Sequence, residues 1–209
     1  MPNRPAKLAP RSRAGAIVDH SCETSAERVL DALAAHQGAG PVGNRKPIVP
    51  SLLVSWDEKN ARVALSHRAG TQALLELEGR ITGQPKWLTL QLDLGEGAFA
   101  AGDVIGLAAE ITCDADHDFE PLLRSAVQGR DVDTRFAETL RLSPQQPVAT
   151  ALHTVAPGDR TLTAMLRHRL ILRLPRRDFR LQIRGLRFFV VPHTSAPTEP
   201  SKTTAGAAE

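Results

Sequence analysis

The chain has 209 residues, of which 42% are hydrophobic and 23% charged, and a formal net charge of +3. Those are the proportions of an ordinary globular domain with one full core, not of a disordered or fibrous chain. Aromatic residues make up only 4%, with no tyrosine, which argues against a site that stacks sugars or bases on several rings.

No apolar run approaches the roughly 18 residues that a membrane-spanning helix needs. Residues 1 to about 20, "MPNRPAKLAPRSRAGAIVDH", are basic and spaced by three prolines, the composition of a disordered arm. They contain no apolar h-region and so do not read as a Sec signal peptide. The default compartment is then the cytoplasm, with export by another route left open.

Residues 21–45 read as a short helix and a linker. Thr24 and Glu27 have the spacing of a capping box, in which each side chain satisfies the other residue's free backbone N–H. Ala26, Val29, Leu30, Leu33 and Ala34 fall at helical spacing and Gly38 supplies a stop. The pattern predicts a helix from about Ser25 to Gln37. About three turns are marginal in water alone, so this helix must dock on its own domain or on a partner. "GAGPVGNRKPIVP" reads as a glycine- and proline-rich linker.

From residue 46 to 192 the period changes to two. About ten short apolar segments are divided by Gly, Pro, Asp and Asn. The clearest is "WLTLQLDL", Trp87–Leu94. Leu88, Leu90, Leu92 and Leu94 point one way, and Thr89, Gln91 and Asp93 the other. Such alternation means one buried and one wet face, as in antiparallel sheets. Trp87, which opens the strand, reads as core, and "GEG" at 95–97 as a turn. The fold class is all-β: an antiparallel, jelly-roll-like β-sandwich with one short N-terminal helix. Residues 193–209 are rich in Ser, Thr, Pro and Ala and read as a disordered tail.

The last part of this domain, "HRLILRLPRRDFRLQIRGLRFFVV" (His168–Val191), carries most of the positive charge. Residues 167–187 hold eight arginines against one acid, Asp178. Leu170, Leu172 and Leu174 share one parity, and Phe179, Leu181 and Ile183 the next. After Gly185 the apolar set becomes Leu186, Phe188 and Val190. A one-residue slip at a glycine predicts a β-bulge. The outward set is then Arg169, Arg173, Arg180, Arg184 and Arg187. This ladder is either a solvated face that deters edge pairing or a polyanion site, because the planar guanidinium fork matches carboxylate, sulfate and phosphate. Arg124, Arg130 and Asp131 lie on one connection, as a salt-bridge cluster or as the rim of a polar-ligand site.

Nucleic acid fits this ladder poorly. There is no helix to enter a groove, and only Phe189 lies on the outward parity as a stacking platform. Asp114, Asp116 and Asp118 resemble the start of a calcium loop, but Phe119 and Ser125 stand where an EF-hand needs glycine and glutamate. The three carboxylates could still hold a structural Ca²⁺; no other cofactor is indicated. The seven histidines are scattered, and neither HExxH nor a Cys/His cluster occurs. No GxSxG elbow, P-loop or dinucleotide fingerprint is present.

The run from Trp87 to Val191, with "LTLQLDLG", "PLLR" and the arginine-laced pair of strands, resembles jelly-roll β-sandwich modules of the carbohydrate-binding and galactose-binding-like type. In particular it resembles uncharacterised bacterial domains found near polysaccharide-assembly proteins. The resemblance covers about half the chain and implies a non-catalytic module that binds polysaccharide, with the arginines pointing to an acidic one. It carries over no binding residue, because the matching motifs are scaffold. Two alternatives stand beside it: a structural module that binds a protein partner through the helix, and an enzyme of a polysaccharide pathway.

Overall fold

The computed structural model describes residues 21–114, 117–142 and 147–193. The expected arm at 1–20, the tail from 194 onward and Asp116 lie outside the described residues. The chain runs through α1 (Ser21–Ala35), β1 (Gly38–Pro41), β2 (Pro47–Val49), β3 (Leu52–Trp56), β4 (Ala61–Ala69), β5 (Leu75–Gly83), β6 (Leu88–Gly97) and β7 (Val104–Cys113). It continues through β8 (Pro121–Val127), β9 (Arg130–Arg135), β10 (Val148–Thr154), the single-turn α2 (Arg160–Thr163), β11 (Leu166–Arg173) and β12 (Phe179–Val191).

Two six-stranded antiparallel sheets form the expected sandwich. Sheet A has the order β1-β4-β5-β12-β7-β10, and sheet B the order β2-β3-β6-β11-β8-β9. Most successive strands from β5 onward cross from one sheet to the other, which gives the jelly-roll character. The apolar parity of each strand faces inward. Leu88, Leu90, Leu92 and Leu94 of sheet B meet Leu75, Leu77, Leu107, Ile111 and Phe188 of sheet A in one core. Burial of this kind contributes roughly 1.5–3 kcal/mol per large aliphatic or aromatic side chain. Gly79 has no side chain because the Phe179 ring fills its place; a Cβ there would lie 2.5 Å from a ring carbon.

The bulge predicted at Gly185 is present. The register of β12 against β7 slips between Ile183 and Gly185, and Phe188 returns to the core.

Three local expectations change. Helix α1 includes Thr24 and ends at Ala35, so Thr24 is not its cap. The glycine/proline run after it is not a plain linker. Gly38–Pro41 pairs with β4 and Pro47–Val49 with β3, adding a short edge strand to each sheet. Residues 95–97 are the end of β6 rather than a turn, and they seat the helix. Cys22, Ala26, Val29 and Leu33 form its buried stripe, Ser21 Oγ donates to the Glu96 carbonyl, and a Cβ on Gly97 would lie 2.5 Å from Cys22 Sγ. The helix therefore docks on its own sandwich.

Candidate functional site

The outer face of sheet B is a groove of about 560 Å³ across β3, β6, β11, β8 and β9. Thr89 and Gln91, on the parity expected to be wet, are 8% and 7% exposed, and Ser55 of β3 beside them is 5% exposed. Ile171 and Leu122 beside them are buried as well. This floor is polar yet sheltered, and its groups are only partly satisfied among themselves. Gln91 Nε2 donates to Thr89 Oγ1 at 3.0 Å, and Thr89 Oγ1 donates to the Ser55 carbonyl at 3.3 Å. A sheltered polar floor is the feature that distinguishes a ligand groove from a solvated sheet face.

Arginines wall the groove. Arg124 grips Asp133 with two parallel hydrogen bonds, Nε to Oδ1 at 2.6 Å and Nη2 to Oδ2 at 2.8 Å, with Asp131 3.8 Å away. The hydrogen-bonded Asp133 carboxylate holds the Arg124 guanidinium still further above its already high pKa. Arg173 pairs with Glu120 at 2.9 Å. Arg45 and Arg169 also line the groove, and among the described residues neither makes an ion pair. Four guanidiniums face Asp131 and Asp133, so the groove carries excess positive charge.

Two local devices set its ends. Asn44 acts as a strand partner for β3: Trp56 N donates to its Oδ1 at 2.9 Å, and its Nδ2 donates to the Trp56 carbonyl at 3.1 Å. Arg45 follows in left-handed backbone, φ 57°, a conformation that a non-glycine residue adopts at some cost. At the other end, Trp87 is 41% exposed and lines the groove. It is not core, as its place at the opening of an apolar strand suggested; Trp56 is the buried tryptophan. Asp57 fixes the approach to Trp87, donating its N–H to the Trp87 carbonyl and accepting from Lys86 N at 3.1 Å. The Asn60 side chain, hydrogen-bonded at 2.6 Å, outweighs burial and keeps the Asp57 carboxyl below the usual range.

The arginine ladder divides. β11 hydrogen-bonds within sheet B and β12 within sheet A. Arg169 and Arg173 therefore join Arg124 and Asp131 in the groove, while Arg180, Arg184 and Arg187 lie on the opposite side of the sandwich. Arg180 approaches Glu78 at 3.7 Å and Arg184 approaches Glu110 at 3.9 Å. Arg130 sits exposed where the β8–β9 hairpin re-enters β9, outside the groove lining. That hairpin turns on Gln128 and Gly129, both at positive φ, as a tight two-residue turn demands.

Asp114 is engaged with β12: its Oδ1 accepts from Arg180 N at 2.6 Å. Asp118 lies elsewhere, in a recess with Lys86, Trp87 and His117. Among the described residues no three His, Cys, Asp or Glu side chains converge as a metal site.

Among the described residues one serine–histidine pair occurs. His168 Nδ1 lies 2.9 Å from Ser125 Oγ, and its Nε2 lies 3.1 Å from the Gly97 carbonyl. Both residues are wholly buried, so the pair is a satisfied core contact beyond the reach of substrate. Burial pushes the His168 pKa down, against the pull of the Gly97 carbonyl.

No family model and no curated protein matches the sequence. The fold is similar to that of several solved domains. The CBM22-1 xylan-binding domain of Paenibacillus barcinonensis Xyn10C has 10% identity over 77% of this chain and all of its own, at a TM-score of 0.42. The family 11 carbohydrate-binding module of a Clostridium thermocellum cellulosomal cellulase has 10% identity over 78% of this chain and all of its own, also at 0.42. A cyclase from Fischerella sp. TAU has 7% identity over 76% of this chain and all of its own, at 0.43. These are likenesses of architecture, as the resemblance read from the strands implied. Among the described residues no helix is long and apolar enough to cross a membrane.

Proposed function

We propose that the chain is a non-catalytic module that binds polysaccharide in the outer groove of sheet B, and that the polysaccharide is acidic. The observation that carries this reading is the pair Arg45 and Arg169: two guanidiniums that make no ion pair among the described residues, above a buried floor of Ser55, Thr89 and Gln91. Free guanidiniums offer forked donors to a uronate or sulfate group. The floor offers hydroxyl and amide groups to sugar hydroxyls, and Trp87 offers one apolar ring face to a sugar at the end of the groove. A single ring suits a ligand held mainly by hydrogen bonds and charge.

The rival reading, a protein-interaction module acting through its helix, loses its main feature. The apolar stripe of α1 is already covered by β6 and β12.

A glycan array tests the proposal, with uronate-rich, sulfated and neutral polysaccharides, heparin and single-stranded DNA, at two salt concentrations and with or without Ca²⁺. The expected result is selective binding to one class of acidic glycan that persists at the higher salt. Binding to every polyanion that disappears with salt would show only nonspecific attraction to the arginines and would overturn it. A requirement for Ca²⁺ would add the Asp114–Asp118 loop to the site.

A further inference from the structure

The other side of the sandwich has a trough of its own, about 730 Å³, on the outer face of sheet A. Two parallel rows of polar side chains cross β4, β5, β12 and the end of β7. Strand register places Arg68, Glu76, Gln182 and Thr112 in one row, and Ser66, Glu78 and Arg180 in the next, with Asp114 beyond them. Neighbouring strands stand about 4.8 Å apart, so each row is an evenly spaced set of donors and acceptors.

Its chemistry is the reverse of the sheet B groove. Three carboxylates (Glu76, Glu78, Asp114) face two guanidiniums (Arg68, Arg180), and the ring in its lining is the His67 imidazole, already stacked on His36. Glu76 accepts from Gln182 Nε2 at 3.0 Å. Glu78 stands 3.7 Å from Arg180 and 3.9 Å from Arg80, too far for good hydrogen bonds, so its oxygens keep acceptor capacity. Arg68 makes no ion pair among the described residues. Carboxylates that still accept, beside an arginine and an amide that still donate, satisfy vicinal hydroxyl groups, each of which both gives and takes a hydrogen bond. With Arg80 beside Glu78 the charges of this trough nearly cancel, so it offers an anionic polymer no net attraction.

We propose that this trough is a second saccharide site, for an uncharged glycan. The two sites stand on opposite faces of one sandwich, so a single molecule could hold two chains of different charge at once.

The test is a titration of the isotopically labelled full chain with neutral gluco-, manno-, galacto- and xylo-oligosaccharides, followed by backbone amide shifts. The expected result is that at least one of them shifts amides at 66–68, 76–78, 112–114 and 180–182. Glu76→Ala with Gln182→Ala weakens that binding at least tenfold. Arg68→Ala, a change at an exposed side chain, weakens it severalfold, and Arg45→Ala with Arg169→Ala leaves it unchanged. The proposal is overturned if no neutral oligosaccharide moves those amides, if the shifts fall on β3, β6 and β11 instead, or if both trough variants bind as tightly as the native chain.

Discussion

The two outer faces of this sandwich have the same strand periodicity and similar shares of arginine, yet they differ in what lies beneath the charges. On sheet A, Arg180 and Arg184 sit beside Glu78 and Glu110, above open polar rows. On sheet B, Arg45 makes no ion pair among the described residues, Arg169 stands opposite an Asp93 already gripped by Arg167, and the residues below them are sheltered. An arginine opposite a glutamate is largely neutralised and adds little, since exposed pairs are worth up to about 1 kcal/mol. An arginine without a partner over a buried floor keeps its charge and its donors for a ligand. Counting arginines along a strand therefore predicts less than asking which of them are already engaged.

The largest effect expected from this contrast is on acidic-glycan affinity. Arg45→Ala with Arg169→Ala weakens binding on the order of 100-fold in calorimetry, since each charge-assisted hydrogen bond is worth about 1.5–3 kcal/mol. Arg184→Ala with Arg187→Ala, on the other face, leaves affinity within about twofold. Equal losses in the two variants would erase the distinction between the faces. Trp87→Ala comes next, with a loss of roughly three- to tenfold from a single ring. Asp133→Asn has a smaller effect of opposite sign. It frees the Arg124 guanidinium, so acidic-glycan affinity rises about two- to fivefold, while stability changes by under about 1 kcal/mol because the pair is partly exposed.

The smallest effect concerns stability and should not touch binding. His168 has a pKa lowered by burial, so the folded state takes up its proton less readily than the unfolded chain does. Its contribution to stability is complete above the unfolded value of about 6.5. It declines as pH falls from there and is lost once pH passes below the folded pKa. Thermal melts across pH 7.5 to 5 should show this decline, and His168→Gln should reduce it, leaving the part due to His153, whose pKa burial also lowers. Asp93 acts in the same direction at lower pH. Burial alone would raise its pKa, but the hydrogen bond and charge of Arg167, the Gly95 N–H and the charge of Arg169 hold it below the ordinary range.

Much of the fold was legible because side-chain parity reports inside from outside. The alternation of Leu88 to Leu94 and the slip at Gly185 both stand in the structure as read. The site was less legible because parity does not say which sheet a strand joins. β11 and β12 are consecutive and both carry outward arginines, but the connection at Pro175–Asp178 carries the chain from sheet B to sheet A, and one ladder becomes two. Parity also equates outward with wet. Thr89 and Gln91 are outward and buried, because β3, β11 and the arginine walls shelter the sheet B face. Arg45 was hidden in a glycine- and proline-rich run whose structural role comes from Asn44 pairing with a distant strand. Trp87 reads as core because it precedes an apolar strand, although its own position lies on the outward parity.

Trp87 also provides the most direct test. It is exposed in the groove, whereas Trp56 is buried in the core, so a ligand in the groove alters the emission of one tryptophan and not the other. The measurement is a fluorescence titration of the native chain with a uronate oligosaccharide, repeated on Arg45→Ala with Arg169→Ala. A saturable change that disappears in the double variant is the predicted result. Saturable binding by calorimetry with no change in emission, or a change that survives in the double variant, would contradict the assignment of the groove.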